Sequence, residues 1–172
     1  AAQPGVNNWT TWHLSPGSLD ENGSRDKQTV VIAMRPESVR EMHSGLNVLS
    51  DELIEAWLKR KDGILVGTGL FKAMNWEIGQ QITVFGGRFP PADVTYTIVG
   101  IMPPGDWSSS IFCRHDYYMD ATGDREAVNC IWLDVDGEEN AKTIAATLTK
   151  DYENRQPALK VATRCFWPAP NL

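Results

Sequence analysis

The sequence predicts an α+β fold, with strand-like and helix-like segments along the chain and no internal repeat. Residues 29–34 (TVVIAM) are rich in β-branched side chains, which favour a strand. Residues 138–152 place apolar side chains at helical spacing, with a strand-like segment on either side. A chain of 172 residues can bury about 70% of the surface that its unfolded form exposes, so it needs no metal or disulfide to fold.

The first third of the chain predicts a β-hairpin followed by a helix. Residues 9–14 are strand-like, and residues 15–26 carry the Pro, Gly, Asn and Asp that are typical of a long turn before the strand at 29–34. A helix should begin after Ser50, whose hydroxyl can accept a backbone N–H, and end at Gly63.

The middle of the chain predicts short strands and short helices separated by Gly- and Pro-rich turns. The predicted strands are residues 64–66, 81–85, 96–102 and 110–114, the predicted helices are residues 70–74 and 116–120, and residues 86–93 form a loop.

The last third predicts a strand–helix–strand unit. Residues 127–135 have apolar side chains on both faces, as expected for a buried inner strand. The helix at 138–152 leads to a second strand at 159–163, and the two strands should be parallel with a right-handed crossover. The apolar face of that helix consists of Ala141, Ile144, Ala145, Leu148 and Tyr152.

The charge balance argues against binding to nucleic acids or to anionic membranes. Lys and Arg number 16 and Asp and Glu number 22, for a net charge of −6 without a basic stripe. No stretch approaches the ~20 apolar residues that a transmembrane helix needs. We therefore expect either a cytoplasmic protein or a soluble piece of a larger one.

The residues that most often carry chemistry do not form a recognisable set. The three cysteines, Cys113, Cys130 and Cys165, lack C-x-x-C spacing and are expected to be small buried side chains. In the acidic segment around Asp134 and Asp136, the glycine is at the fourth position, whereas a calcium loop needs it at the sixth. The sequence thus predicts no catalytic residue, no metal and no cofactor.

One alternative remains open at Gly67-Thr68-Gly69, which follows a predicted strand and precedes a helix. A small α/β protein could use such a turn to bind a nucleotide or another ligand. Lys72 stands where a dinucleotide fingerprint has its third glycine, which favours a plain strand-to-helix turn.

Two aromatic or proline-rich loops are the candidate contact sites for a partner. The candidate residues are Phe89 and Pro90 in the loop 86–93, and Trp107 in the next loop. Exposed rings in loops can anchor a partner. The alternative is that these rings fold back and cover the core.

The segment GILVGTGLFKAMNWEIG (63–79), followed by QITVF (81–85) and YTIVGI (96–101), resembles the extracytoplasmic domain of FtsX-like, MacB-type ABC transporter permeases. The resemblance continues through residues 110–118 and the strand–helix–strand unit, and Pro4-Gly5-Val6 resembles the start of a strand in that family. It covers most of the chain and depends on the order and spacing of packing motifs.

The resemblance implies two lobes and a function without catalysis. Residues 1–14 and 125–172 would form a Porter-like lobe that is not necessarily complete, and residues 15–124 an inserted, mixed α/β Sabre-like lobe. The chain would be the periplasmic part of a dimeric membrane protein at the bacterial inner membrane. Its partners would be a cytoplasmic ATPase, reached through membrane helices, and a periplasmic protein or lipophilic substrate.

Overall fold

The computed structural model describes residues 4–42, 49–86, 92–105, 107–125, 128–154 and 160–161. The strands are β1 (Val6–Ser18), β2 (Gln28–Met34), β3 (Gly63–Gly67), β4 (Gln81–Val84), β5 (Val94–Met102), β6 (Ser110–Arg114) and β7 (Cys130–Val135). The α-helices are α1 (Val39–Met42), α2 (Asp51–Lys59), α3 (Thr68–Ala73), α4 (His115–Thr122) and α5 (Gly137–Tyr152).

The seven strands form one mixed sheet in the order β4-β5-β3-β6-β2-β1-β7. The predicted hairpin is confirmed: β1 and β2 pair antiparallel, with Trp12 opposite Met34 and Ser18 opposite Gln28. β2 pairs parallel with β6 and β3 pairs parallel with β5, whereas β3–β6 and β4–β5 are antiparallel. β1 is longer than predicted, because residues 15–18 continue the strand instead of joining the turn.

The chain divides into two compact units, which are Thr10–Trp132 and the combination of Ala1–Trp9 with Leu133–Leu172. The lobe boundaries that the family resemblance implies, 1–14 with 125–172 and 15–124, remain a prediction.

In the unit Thr10–Trp132, helices cover both faces of the sheet. Ile64 and Val66 of β3 face a core that includes side chains of α3 and α4, such as Phe71 and Tyr118. On the opposite face of β3, Leu65 lies opposite Gly100, and a Cβ at Gly100 would meet the Leu53 side chain of α2. This alternation gives three layers, with β3 buried on both faces.

Helix α2 forms where its capping residue predicts it. The Ser50 hydroxyl accepts a hydrogen bond from the Leu53 amide at 3.3 Å, and Asp51 and Glu52 lie in the first turn. On its inner face, Trp57 is 1% exposed and donates from Nε1 to the Gly63 carbonyl oxygen at 3.0 Å. This bond fixes the helix to the first residue of β3.

The unit of Ala1–Trp9 with Leu133–Leu172 contains α5 and the outer ends of β1 and β7. Ile144 of α5 is buried and approaches Gly5, where an added Cβ would meet its Cδ1 at 3.4 Å. Asn7 donates to the Asp136 carboxylate at 2.9 Å, next to the start of the helix.

The prediction that residues 127–135 form a buried inner strand is wrong. Among the described residues β7 is the last strand of the sheet, and Ile131 and Leu133 are 57% and 37% exposed. Apolar residues on both faces therefore did not mean burial on both faces here. The second predicted strand, 159–163, lies outside the described residues except for Lys160 and Val161.

Candidate functional site

The glycine turn, residues 67–69, joins β3 to α3, as the sequence predicts. Gly67 is the N-cap of α3, and the Thr68 hydroxyl donates to the Met102 carbonyl oxygen at the end of β5. A Cβ at Gly67 would lie 2.1 Å from the Trp107 carbonyl oxygen, and one at Gly69 would lie 3.0 Å from that of Ser108. Glycine is required here because another backbone segment packs against the turn.

That segment is the Trp107 turn, residues 107–109, which precedes β6. The Ser108 carbonyl oxygen accepts a hydrogen bond from the Leu70 amide of α3 at 2.8 Å. The Ser109 carbonyl oxygen accepts one from the Thr29 hydroxyl of β2 at 2.9 Å. The Trp107 turn therefore connects the glycine turn to the middle of the sheet.

The packing at this turn argues against the alternative function, nucleotide or ligand binding. The space beside Gly67 is filled by the backbone of Trp107 and Ser108, and the Leu70 amide already has a protein acceptor. A phosphate needs amides that point at it and room close to the glycines. Here the Ser108 carbonyl oxygen accepts the hydrogen bond from the Leu70 amide that a bound anion would otherwise accept.

Trp107 also begins a group of packed rings that we call the aromatic row: Trp107, Phe112, Trp12 and Trp132. Trp107 packs edge-on against Phe112 at 5.2 Å and against Trp12 at 5.7 Å between ring centroids. Trp12 then contacts Phe112 at 6.4 Å and Trp132 of β7 at 4.8 Å. Edge-on and tilted contacts at these distances are favourable arrangements for aromatic rings.

The candidate partner-contact residues are placed as follows. Phe89 and Pro90 lie outside the described residues, so their role stays a prediction. Trp107 is half-buried, with its ring against Trp12 and Phe112. Its contact with a partner also stays a prediction, and the structure adds an intramolecular role for the ring.

Sequence reasoning missed Trp12, Phe112 and Trp132 as neighbours of Trp107. Each of the three lies on a predicted strand. Because side chains alternate between the two faces of a strand, the sequence shows which residues of one strand share a face. The pairing of β1 with β7, however, brings together residues that are far apart in sequence. No local motif encodes that pairing.

Charged groups tie α2 and α4 to the ends of the strands. Arg114, at the end of β6, donates to the Asp116 carboxylate at 3.0 and 2.8 Å and to the Leu58 carbonyl oxygen of α2. The hydrogen bonds from Arg114 hold the pKa of Asp116 below its usual value. Lys61 lies 2.7 Å from Asp120 in α4. These partly exposed pairs orient the helices, and each contributes little to stability.

Burial disfavours the charged forms of the described cysteines and of His13. Burial raises the pKa of the Cys113 thiol to about 12, and burial also raises the pKa of Cys130. His13 packs on Tyr118 at 5.1 Å, and burial lowers its pKa against the opposing influence of Asp124. A thiol that stays protonated is a poor nucleophile and a poor metal ligand.

Two further features concern metals and membranes. Within the described part of the chain, His, Cys, Asp and Glu side chains do not come together in groups of three that could hold a metal ion. Among those residues no helix has both the length and the apolar composition to span a bilayer.

Comparison with known proteins gives no match from sequence and clear matches from structure. No protein-family model matches the sequence. No curated protein matches it significantly. The extracellular domain of the noncanonic ABC-type transporter YknZ from Gram-positive bacteria matches with a TM-score of 0.56 and 10% identity, over 88% of this chain and 79% of that domain. The chain has the fold of an ABC-transporter extracellular domain.

A second solved structure has the same MacB-like fold. The periplasmic region of MacB from Actinobacillus actinomycetemcomitans matches with a TM-score of 0.50 and 13% identity, over 86% of this chain and 68% of that region. The predicted α+β class and the predicted family resemblance are thus confirmed at the level of the fold.

Proposed function

We propose that this chain is the extracytoplasmic domain of an ABC transporter permease, on the periplasmic face of the bacterial inner membrane. The observation that carries the proposal is the match to the YknZ extracellular domain over 88% of the chain. The family-like order of the segments from Gly63 to Ile101 supports it independently of the structural comparison.

In this proposal the domain is a coupling element without catalysis of its own. ATP is hydrolysed on a cytoplasmic subunit, and the membrane helices of the complete, dimeric protein connect that subunit to this domain. Outside the membrane the domain contacts a periplasmic protein or a lipophilic substrate. The cycle changes the domain's affinity for that partner, because coupling between two sites requires a difference in affinity between two states.

The location can be tested with a single accessible cysteine. Glu139 has a side chain that is 89% exposed. In a complete permease with Cys113, Cys130 and Cys165 changed to serine, Glu139→Cys should react with a membrane-impermeant maleimide in intact spheroplasts as fully as after lysis. A cysteine on the ATPase subunit should react only after lysis. Labelling of Glu139→Cys that also requires lysis would place the domain inside the cell and end the proposal.

The coupling can be tested by hydrogen exchange in the complete permease–ATPase complex. Exchange rates within this domain should differ between the nucleotide-free complex and the complex trapped with ATP and vanadate. A matched complex whose ATPase cannot bind ATP is the control and should show no difference. Identical rates in the trapped and nucleotide-free states would contradict coupling while leaving the location intact.

A further inference from the structure

Strand β7 is attached to the rest of the sheet on one side only among the described residues. It is the last strand in the order, next to β1. Ile131 and Leu133, which share one face of β7, are 57% and 37% exposed, so that face contributes little packing. On the other face, Trp132 is half-buried and packs on Trp12 at 4.8 Å. The Trp12–Trp132 contact is therefore a main side-chain attachment of β7.

Asn129 supplies a polar attachment just before β7 begins. Its amide donates to the Trp12 carbonyl oxygen at 3.2 Å, and its side chain both accepts from the Leu14 amide at 2.8 Å and donates to the Leu14 carbonyl oxygen at 2.7 Å. β7 is thus held by its backbone pairing with β1, at its start by the amide and side chain of Asn129, and further along by the Trp132 ring.

The Trp12 ring contacts both the Trp107 turn and strand β7. Trp12 is 1% exposed, and its ring centroid lies 5.7 Å from that of Trp107 and 4.8 Å from that of Trp132. A close-packed ring does not shift continuously, and it moves when a neighbour leaves space. Loss of the Trp107 ring would open such a space beside Trp12.

We propose that the aromatic row couples the Trp107 turn to strand β7, so that displacement of the Trp107 ring loosens β7. The Trp107 turn also holds the Leu70 amide of α3, and β7 leads directly into Gly137 and α5. A contact made at the Trp107 turn is in this way transmitted to the strand that precedes α5. The inference depends on these ring contacts and holds whether or not the proposed transport function is correct.

Native-state hydrogen exchange tests the coupling. In Trp107→Leu, the amides of β7 that pair with β1 should lose protection by at least about tenfold. Trp76→Leu is the matched control, because Trp76 is 8% exposed and belongs to the core on the other face of the sheet. That variant should lower protection in the central strands and leave the local opening of β7 unchanged.

The route of the coupling is tested by a double substitution. In a Trp132→Leu background, Trp107→Leu should have less than a twofold further effect on β7, because the row is already interrupted. If Trp107→Leu leaves β7 protection unchanged, or lowers it equally with and without Trp132, the proposal is wrong. Trp107→Phe replaces Trp107→Leu if the latter does not fold, with a smaller loss at β7 expected.

Discussion

The amide of Leu70 donates a hydrogen bond to the carbonyl oxygen of Ser108 at 2.8 Å, and this bond closes the space beside the glycine turn. The first amides of a helix have no partner within the helix. Here the Trp107 turn supplies that partner. The same close approach explains why residue 67 is glycine, since a Cβ would overlap the Trp107 carbonyl oxygen.

We predict that Gly67→Ala destabilises the fold severely. Its Cβ would lie 2.1 Å from a backbone oxygen, so the Trp107 turn must move. The expected loss in the free energy of unfolding is at least about 3 kcal/mol, at the upper end of overpacking costs. Urea denaturation followed by circular dichroism measures it.

Gly79→Ala is the control, because it introduces backbone strain but no steric clash. Gly79 has φ +87° and no neighbouring atom within 4 Å of an added Cβ. Its substitution should cost about 1–2 kcal/mol, which is the cost of a left-handed conformation. A Gly67→Ala variant that is no less stable than Gly79→Ala would show that the Trp107 turn does not constrain the glycine turn.

We predict that Trp57→Phe destabilises the protein by about 1–3 kcal/mol, because it leaves the buried Gly63 carbonyl oxygen without its indole donor. Trp9→Phe is the matched control at a site that is 60% exposed, and it should change stability by less than about 0.5 kcal/mol. Equal effects of the two substitutions in thermal or urea denaturation would contradict the role of the hydrogen bond.

Elements with local signals could be predicted from the sequence. The N-cap Ser50, the acidic first turn and Gly63 define α2 to within a few residues, and residues 29–34 form β2 as predicted. These signals succeed because capping and β-branched side chains act over only a few residues.

Features that depend on distant neighbours could not be predicted. The apolar pattern of residues 127–135 does not tell an inner strand from the last strand of a sheet. The two glycines at 67 and 69 signal that something approaches the backbone closely, but a ligand and another chain segment produce the same signal. Only the position of the Trp107 turn decides between them.

We predict that His13 makes the free energy of unfolding decrease as the pH falls below 6.5. Burial lowers the pKa of His13 below its value of 6.5 in the unfolded chain. Between those two pKa values the unfolded state binds more protons than the folded state. The contribution of neutral His13 to the free energy of unfolding is therefore complete above pH 6.5. It is lost as pH falls through the pKa of His13 in the folded state.

The measurement is urea denaturation from pH 5 to pH 8 for the natural chain and His13→Gln. The substitution should flatten this part of the stability profile, whereas His115→Gln keeps the buried imidazole and should retain most of the slope. A profile that is unchanged in His13→Gln would mean that other groups cause the pH dependence.

We predict that Cys113 reacts with a thiol reagent only when the protein unfolds. The residue is 0% exposed and its pKa is raised to about 12, so at pH 8 roughly one thiol in ten thousand is ionised. A variant with Cys130→Ser and Cys165→Ser leaves Cys113 as the single thiol of the chain. Its labelling rate should rise with urea in parallel with the unfolded fraction.

The half-buried Cys130, isolated by Cys113→Ser and Cys165→Ser, should react faster in the absence of urea. Rapid labelling of Cys113 without denaturant would mean that β6 opens locally and that the core between β3 and β2 is not closed around it.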